Sequence, residues 1–323
     1  MEASLPLKTN YIRMKKLYAL CCCFAFLISA SAQQKTVQER LGYSKDTKLL
    51  IIHADDVGVS QSENAATFFA MEKGSVSSAS IMMPCPWMGD VAEYVRTHPN
   101  ADFGLHLTLT SEWKNYKWGT VTPVNQASSL VNKNGYFYSS VDSLHKYGRV
   151  LEVEKELKAQ IERAKQFGID PTHFDSHMGS LFASPEYLQI LLKMGRYYKV
   201  PVLLNKEGFK AAYNIDLGKY ITDKDVLVDK ILMAGPKDFN GGMDKFYSGV
   251  LESLQPGLSC ILLHAAYDNA EMQAITVDHP DFGAAWRQAD FDFFTSEKCR
   301  NLIKQENIKV ITWKEIRDKL YRN

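Results

Sequence analysis

The chain has 323 residues, 46% hydrophobic, 23% charged and 11% aromatic, a mixture that excludes a largely disordered or fibrous protein. Lys and Arg total 38 against 37 for Asp and Glu, so the net charge of +1 supplies no general attraction to nucleic acid or to an anionic membrane. The length suits about two average domains or one elaborated α/β barrel.

Residues 14–32 read MKKLYALCCCFAFLISASA. The basic pair Lys15 and Lys16, the apolar run Leu17 to Ile28 and the small residues Ala30, Ser31 and Ala32 make the pattern of a secretory signal peptide, with Met14 as the more typical start. The run is shorter than the roughly 20 residues of a membrane anchor, so no stable membrane insertion is expected after cleavage. Cleavage after Ala32 leaves 291 residues with a net charge near −2 and predicts an exported protein, periplasmic or extracellular. Cys85, Cys260 and Cys299 then remain, an odd and widely spaced set that suggests neither a disulfide framework nor a zinc site.

Residues 48–56 (KLLIIHADD) read as a strand, 61–73 as a helix stopped by Gly74, 75–83 as a strand, 87–97 as a helix and 101–110 as a strand. An aromatic-rich excursion near 111–140 is too long for a plain connection. A helix over 150–167 places Leu151, Leu157, Ile161 and Ala164 on one apolar face, and a strand ends at 172–177. Pro185 opens the next helix, 201–205 is a short strand, and 206–240 has no clear assignment. A helix at 246–254, a strand at 259–265, a helix at 295–306, a strand at 308–313 and a helix at 314–321 complete the order. Strands separated by helices predict a parallel sheet. No linker or repeat divides the chain, so a single β/α-barrel domain over 33–323 fits this α/β pattern best, with a doubly wound open sheet as the alternative because the pattern does not report closure.

Polar residues gather at the carboxyl ends of these strands: His53, Asp55 and Asp56, then His106, then Asp175 and His177, then His264 with Asp268. Active sites of β/α proteins are assembled on that face. Asp55 and Asp56 would alternate sides in an extended strand, but at a strand-to-loop junction both can reach one pocket; the alternative is a helix cap and a solvated neighbour. Alternation puts Gly104, His106 and Thr108 on one face with the leucines opposite, either as a core histidine or as a ligand. His173, Asp175 and His177 follow at period two. His106 and His177 with one Asp make a mixed nitrogen and oxygen set for zinc or another divalent ion, and Asp175 can orient a neighbouring His. Such an ion beside a free carboxylate implies hydrolysis, with one group taking a proton from water and another, His264, protonating the leaving group.

The segments HADDVG (53–58), GLHLTLT (104–110), PTHFDSH (171–177) and LLHAAYD (262–268) resemble the YdjC-like carbohydrate deacetylase family, whose best-known members deacetylate chitin oligosaccharides. The resemblance spans most of 48–313. It implies a distorted β/α barrel of the polysaccharide-deacetylase type that uses one divalent ion, magnesium or zinc, to remove N-acetyl groups from sugars. By motif, Asp55 resembles the general base, Asp56, His106 and His177 the metal ligands, and His264 the general acid. Arg287, in WRQAD, resembles an arginine that helps order the site. The third motif departs from the usual DSH-x-H-x-H, reading DSHMGSL, and His264-Ala265-Ala266-Tyr267 departs from His-Pro-Gly-Tyr.

The implied partner is an N-acetylated mono- or oligosaccharide rather than nucleic acid, and a homodimer is compatible with the resemblance. Trp113, Tyr116 and Trp118 of the excursion either stack on a sugar or pack the loop. Two other functions share these residues: hydrolysis of a glycan ester or glycosidic bond, and carbohydrate binding without catalysis on a degenerate deacetylase scaffold.

Overall fold

The computed structural model describes residue 1 and residues 35–182 and 184–323; the segment expected to be a leader lies outside them. Residues Thr36–Asn323 form one compact unit. Seven parallel strands build its centre: β1 (Lys48–Val57), β2 (Ser78–Ile81), β3 (Phe103–Leu107), β4 (Phe174–Ser176), β5 (Lys230–Met233), β6 (Gly257–Leu263) and β7 (Lys309–Val310). Their order is β4-β3-β2-β1-β6-β5. β7 lies against Leu49 and Leu50 at the start of β1, before β2 takes over at His53.

The sheet curls until its ends meet. Phe174 of β4 bridges to Val202, and Asn205 bridges to Val228, immediately before β5. Backbone bonds Leu203 N–H to Phe174 O (2.9 Å), Val228 N–H to Leu204 O (2.9 Å) and Asp229 N–H to Leu258 O (2.7 Å) complete the ring. The expected single distorted barrel is thus present, closed on one side by isolated bridges rather than full ladders.

Alternation decides what faces the axis. In β1, Leu49 and Ile51 join Leu258, Cys260, Leu203 and Val228 in a core cluster drawn from strands around the ring. Leu50, Ile52 and Ala54 pack in the other, larger cluster. His53 and Asp55 continue the inward set. The phase then changes: Val57 and Val59, now odd-numbered, belong to the larger cluster, and the register with β2 shifts between Ala54 and Val57. Asp56 is the extra residue, at φ +68 in the left-handed region that Asp tolerates better than most side chains.

In β3, Gly104 and His106 face the axis while Phe103, Leu105 and Leu107 are in the larger core cluster, as the alternation predicts. Gly104 is required there, because a Cβ would stand 2.3 Å from the His173 ring.

Several expectations need correction. Residues 201–205 make bridges rather than a regular strand, and only Lys309–Val310 of the expected strand 308–313 pair. The unassigned 206–240 stretch holds a helix (Lys206–Tyr213), β5 and a second short helix (Pro236–Gly241). Helices Val141–Tyr147, Ala270–Ile275 and Ala284–Thr295 form where the sequence pattern predicts none. Cys85, Cys260 and Cys299 are buried free thiols. No helix among the described residues is long and apolar enough to cross a membrane.

Candidate active site

The inward residues of β1, β3 and β4 meet at the carboxyl end of the barrel. Asp56, His106 and His177 each offer one ligand atom within 4.8 Å of the others. Asp56 Oδ1 lies 3.5 Å from His106 Nε2 and 3.5 Å from His177 Nδ1. It is buried and has no hydrogen-bond partner among the described residues. A buried carboxylate oxygen left without a partner costs free energy unless something fills the gap.

Both imidazoles are held from behind. His106 Nδ1 is 2.7 Å from Asp175 Oδ1, and His177 Nε2 is 2.9 Å from Glu112 Oε2. Each ring therefore turns its other nitrogen towards Asp56, the carboxylate–histidine arrangement that orients metal ligands. Burial opposes charge on His177, but Glu112 and Asp56 outweigh it and push the imidazole up to about 10. Burial works against the Asp56 carboxylate too, yet Arg287 and the surrounding imidazoles hold it well below its ordinary range. A carboxylate among positively biased imidazoles is a donor set in which a divalent cation can replace protons, so these residues fit a metal.

Two further groupings, His53 with His173 and Asp175 and Asp55 with His106 and Asp175, have suitable spacing. Their atoms are spent on one another. Asp175 Oδ2 is 3.0 Å from His53 Nε2, and Asp175 Oδ1 already binds His106.

Asp55 stands beside the cation site. Its Oδ1 accepts from Ser80 Oγ at 3.2 Å and lies 3.0 Å from His53 Nε2. Burial would raise its pKa, but His106 and His53 prevail and lower it, keeping a charged base. Its Oδ2 is 3.9 Å from His264 Nε2, which is also 3.9 Å from Asp56 Oδ2. Burial dominates at His264 and brings it down to about 4. The backbone N–H of His264 donates to Asp290 Oδ2 at 3.0 Å, and Tyr247 donates to Asp290 Oδ1 at 2.6 Å.

Arg287 donates to Asp56 Oδ2 (2.8 Å), to Glu63 Oε2 (2.9 Å) and to the Phe282 carbonyl (2.7 Å), with its guanidinium over the Trp113 ring at 5.3 Å. It acts through the ligand Asp56 and is a positioning residue. One guanidinium faces two buried carboxyls. Asp56 retains the charge, while burial pushes Glu63 up to about 8.

All six residues singled out from the sequence for catalysis or metal binding line one pocket of about 630 Å³. Asp268 does not join them; it accepts from Gln273 at the surface. Neither Asp55 nor Asp56 caps the following helix (Gln61–Lys73), a role taken by Ser60. Of the loop aromatics, Trp118 is buried and donates to Thr110 O, and Tyr116 donates to Val59 O, so both pack the excursion. Only Trp113 of the three lines the pocket.

Glu112, Glu63, Asp290 and Tyr247 escape sequence reasoning. Glu112 follows Ser111 in a loop with no periodicity, and Glu63 occupies a helical position that pattern reading assigns to solvent. A signal exists for Glu63 alone: the polar run Ser60-Gln61-Ser62-Glu63-Asn64 exceeds what an N-terminal cap needs.

The profile of the YdjC-like protein family matches residues 49–305. A carbohydrate deacetylase of Thermus thermophilus is 29% identical over 289 residues, covering 88% of this chain and 98% of that protein. A carbohydrate deacetylase of Thermoanaerobacter pseudethanolicus is 25% identical over 273 residues, covering 81% and 96%. A crystal structure from Enterococcus faecalis V583, named for cellobiose-phosphate cleavage, superposes with a TM-score of 0.68 at 21% identity over 84% of this chain and 99% of that one, a likeness of fold. With the profile covering most of the barrel and its motifs assembled in one pocket, the chain belongs to the YdjC-like family.

Proposed function

We propose that this protein is a metal-dependent carbohydrate deacetylase that hydrolyses the N-acetyl group of an amino sugar. The observation that carries the reading is Asp56 Oδ1, buried without a partner between two carboxylate-backed imidazoles, with the charged Asp55 alongside. The names of the two bacterial relatives, both carbohydrate deacetylases, support removal of an acetyl group from a carbohydrate.

Asp56, His106 and His177 would hold a divalent ion, magnesium or zinc, and the ion supplies Lewis acidity towards a carbonyl oxygen and its water. The protein's own groups move the protons. Asp55 Oδ2 takes a proton from the attacking water, whose oxygen bonds to the acetyl carbon. His53 and Ser80 hold the other oxygen of that carboxylate in place. The C–N bond then breaks as His264 Nε2 delivers a proton to the amine nitrogen, releasing acetate and a free amino sugar. A group at about 4 is neutral at pH 7, so His264 must acquire its proton during the cycle, and Asp55 Oδ2 at 3.9 Å is the nearest donor once it has taken one.

The test is acetate release from N-acetylglucosamine and its oligomers, with and without chelator. Asp55→Asn is expected to keep bound metal and lose about 10²–10⁴ of the rate, the range of a general base. Full activity in Asp55→Asn, or after complete chelation, overturns the reading. We infer export from residues 14–32, checked by the N-terminal sequence of the secreted chain.

A further inference from the structure

We propose that the substrate carries an apolar chain, and that the outer wall of the pocket receives it. This rests on the deacetylase reading for the sugar and on the wall itself for the chain. Beyond the ionisable cluster the pocket is lined by Met178, Phe182, Phe209, Tyr213, Ile231 and Met233. Met178, Ile231 and Met233 are 46%, 38% and 47% exposed, so three aliphatic side chains from two separate elements turn into one space instead of the core. Exposed apolar side chains converging on a concavity mark a ligand surface.

The wall is built, not incidental. Met178 and Gly179 both adopt left-handed backbone, at φ +53 and +63, and a Cβ at position 179 would stand 2.3 Å from Tyr213 Oη. That close approach seats Tyr213 beside Phe182, ring centroids 5.4 Å apart, with Phe209 a further 4.7 Å from Phe182.

Most polar groups here are already engaged, the Tyr213 hydroxyl being the main one without a hydrogen-bond partner among the described residues. Asn205 donates to Val228 O (3.1 Å) and Asp229 O (2.5 Å) and accepts from Gly208 N–H (2.5 Å). Ser176 Oγ accepts from Leu181 N–H at 2.9 Å, and His279 Nδ1 is 2.7 Å from Asp281 O. Aromatic rings alone would suit stacked sugars, but Met178, Ile231 and Met233 have no flat face to stack on. The wall is continuous with the cation site, so one molecule spans both, its sugar amide at Asp55 and its chain against β5.

Two positions on an amino sugar can carry such a chain, the anomeric oxygen and the amide acyl group. The experiment has an arm for each. Calorimetry compares octyl with methyl β-D-glucopyranoside below the micelle concentration; neither contains an amide, so binding is independent of turnover. The second arm compares N-octanoylglucosamine with N-acetylglucosamine on Asp55→Asn protein.

A buried methylene contributes up to about fourfold in affinity, so tightening of about tenfold or more is expected in at least one arm. The Ile231→Ser/Met233→Ser double variant is expected to abolish that gain while leaving methyl glucoside affinity and acetate release from N-acetylglucosamine unchanged. Chain length without effect in both arms overturns the proposal. So does a gain that survives the double variant, or a short chitin oligomer that alone depends on Ile231 and Met233. Loss of acetate release in the wild type with octyl binding retained would sink the deacetylase reading and leave the chain-binding wall standing.

Discussion

The two halves of the barrel are put together differently. From β1 to β4, each strand pairs with its neighbour along a ladder, and that half carries Asp55, Asp56, His106, Asp175 and the residue just after β4, His177. From 201 to 233 the ring is closed by single bridges at Val202 and Val228 before β5 pairs with β6, and this half supplies apolar wall and no candidate ligand. Groups that must stand within a fraction of an ångström of a reacting atom sit on the continuous ladders, where backbone and second side chains fix them. Of the groups that shape the rest of the pocket, Phe209 and Tyr213 follow the single bridges, while Ile231 and Met233 sit on the short β5–β6 ladder. Chemistry is thus concentrated on one arc of the ring, while the apolar wall is shared between the closing arc and Met178 and Phe182 just after β4.

Three substitutions would break or sharpen that contrast, in falling order of effect. Arg287→Met leaves Asp56 and Glu63 buried without their cation, and is expected to lower the unfolding free energy by about 3–5 kcal/mol in urea with chelator present. A loss below about 1 kcal/mol would mean that the pair contributes little beyond geometry. Asp175→Asn removes the carboxylate that His106 and His53 share, and a metal titration should show affinity reduced about 10–100-fold. Unchanged affinity would detach Asp175 from the site. Asn205→Ala, in the closing arc, deletes a helix cap and two bonds to the next segment, with about 1 kcal/mol lost and turnover per bound metal preserved. A stability loss matching that of Arg287→Met would show the closing arc to be as critical as the ladders.

The same division governs what can be read in the sequence. β1, β3 and β4 interrupt apolar runs with His and Asp at period two, and such breaks stand out: His53 with Asp55, His106 between leucines, His173 to His177. Asp55, His106 and His177 are legible from those breaks, whereas Arg287 rests on the family resemblance. β5, KILM, escapes because its residues are half-exposed on a pocket rather than alternating between core and solvent. Helix Gln61–Lys73 is placed correctly, yet its buried Ser62, Glu63, Asn64 and Thr67 are invisible to a rule that sends polar residues outward. Glu112 lies in a loop, where no period exists to be broken. Adjacent aspartates in one pocket are expected from the sequence, but their cause is not: Asp56 is a bulge within the strand, not the first residue of a loop.

That bulge is a one-residue phase shift. Upstream of it even-numbered side chains of β1 pack under the helices; downstream the odd-numbered ones do, and Asp56 belongs to neither count. A perfectly regular strand could present Asp55 to the axis, or keep Val57 in the core with Asp56 on the axis, but not both. By absorbing the extra residue at one left-handed position, the strand places a proton-transfer group and a metal ligand side by side in sequence without exposing a single valine. Deleting residue 56 would therefore do more than remove a ligand. It would restore the regular beat, with Asp55 still on the axis and Val57 still in the core, and leave no second carboxylate beside Asp55.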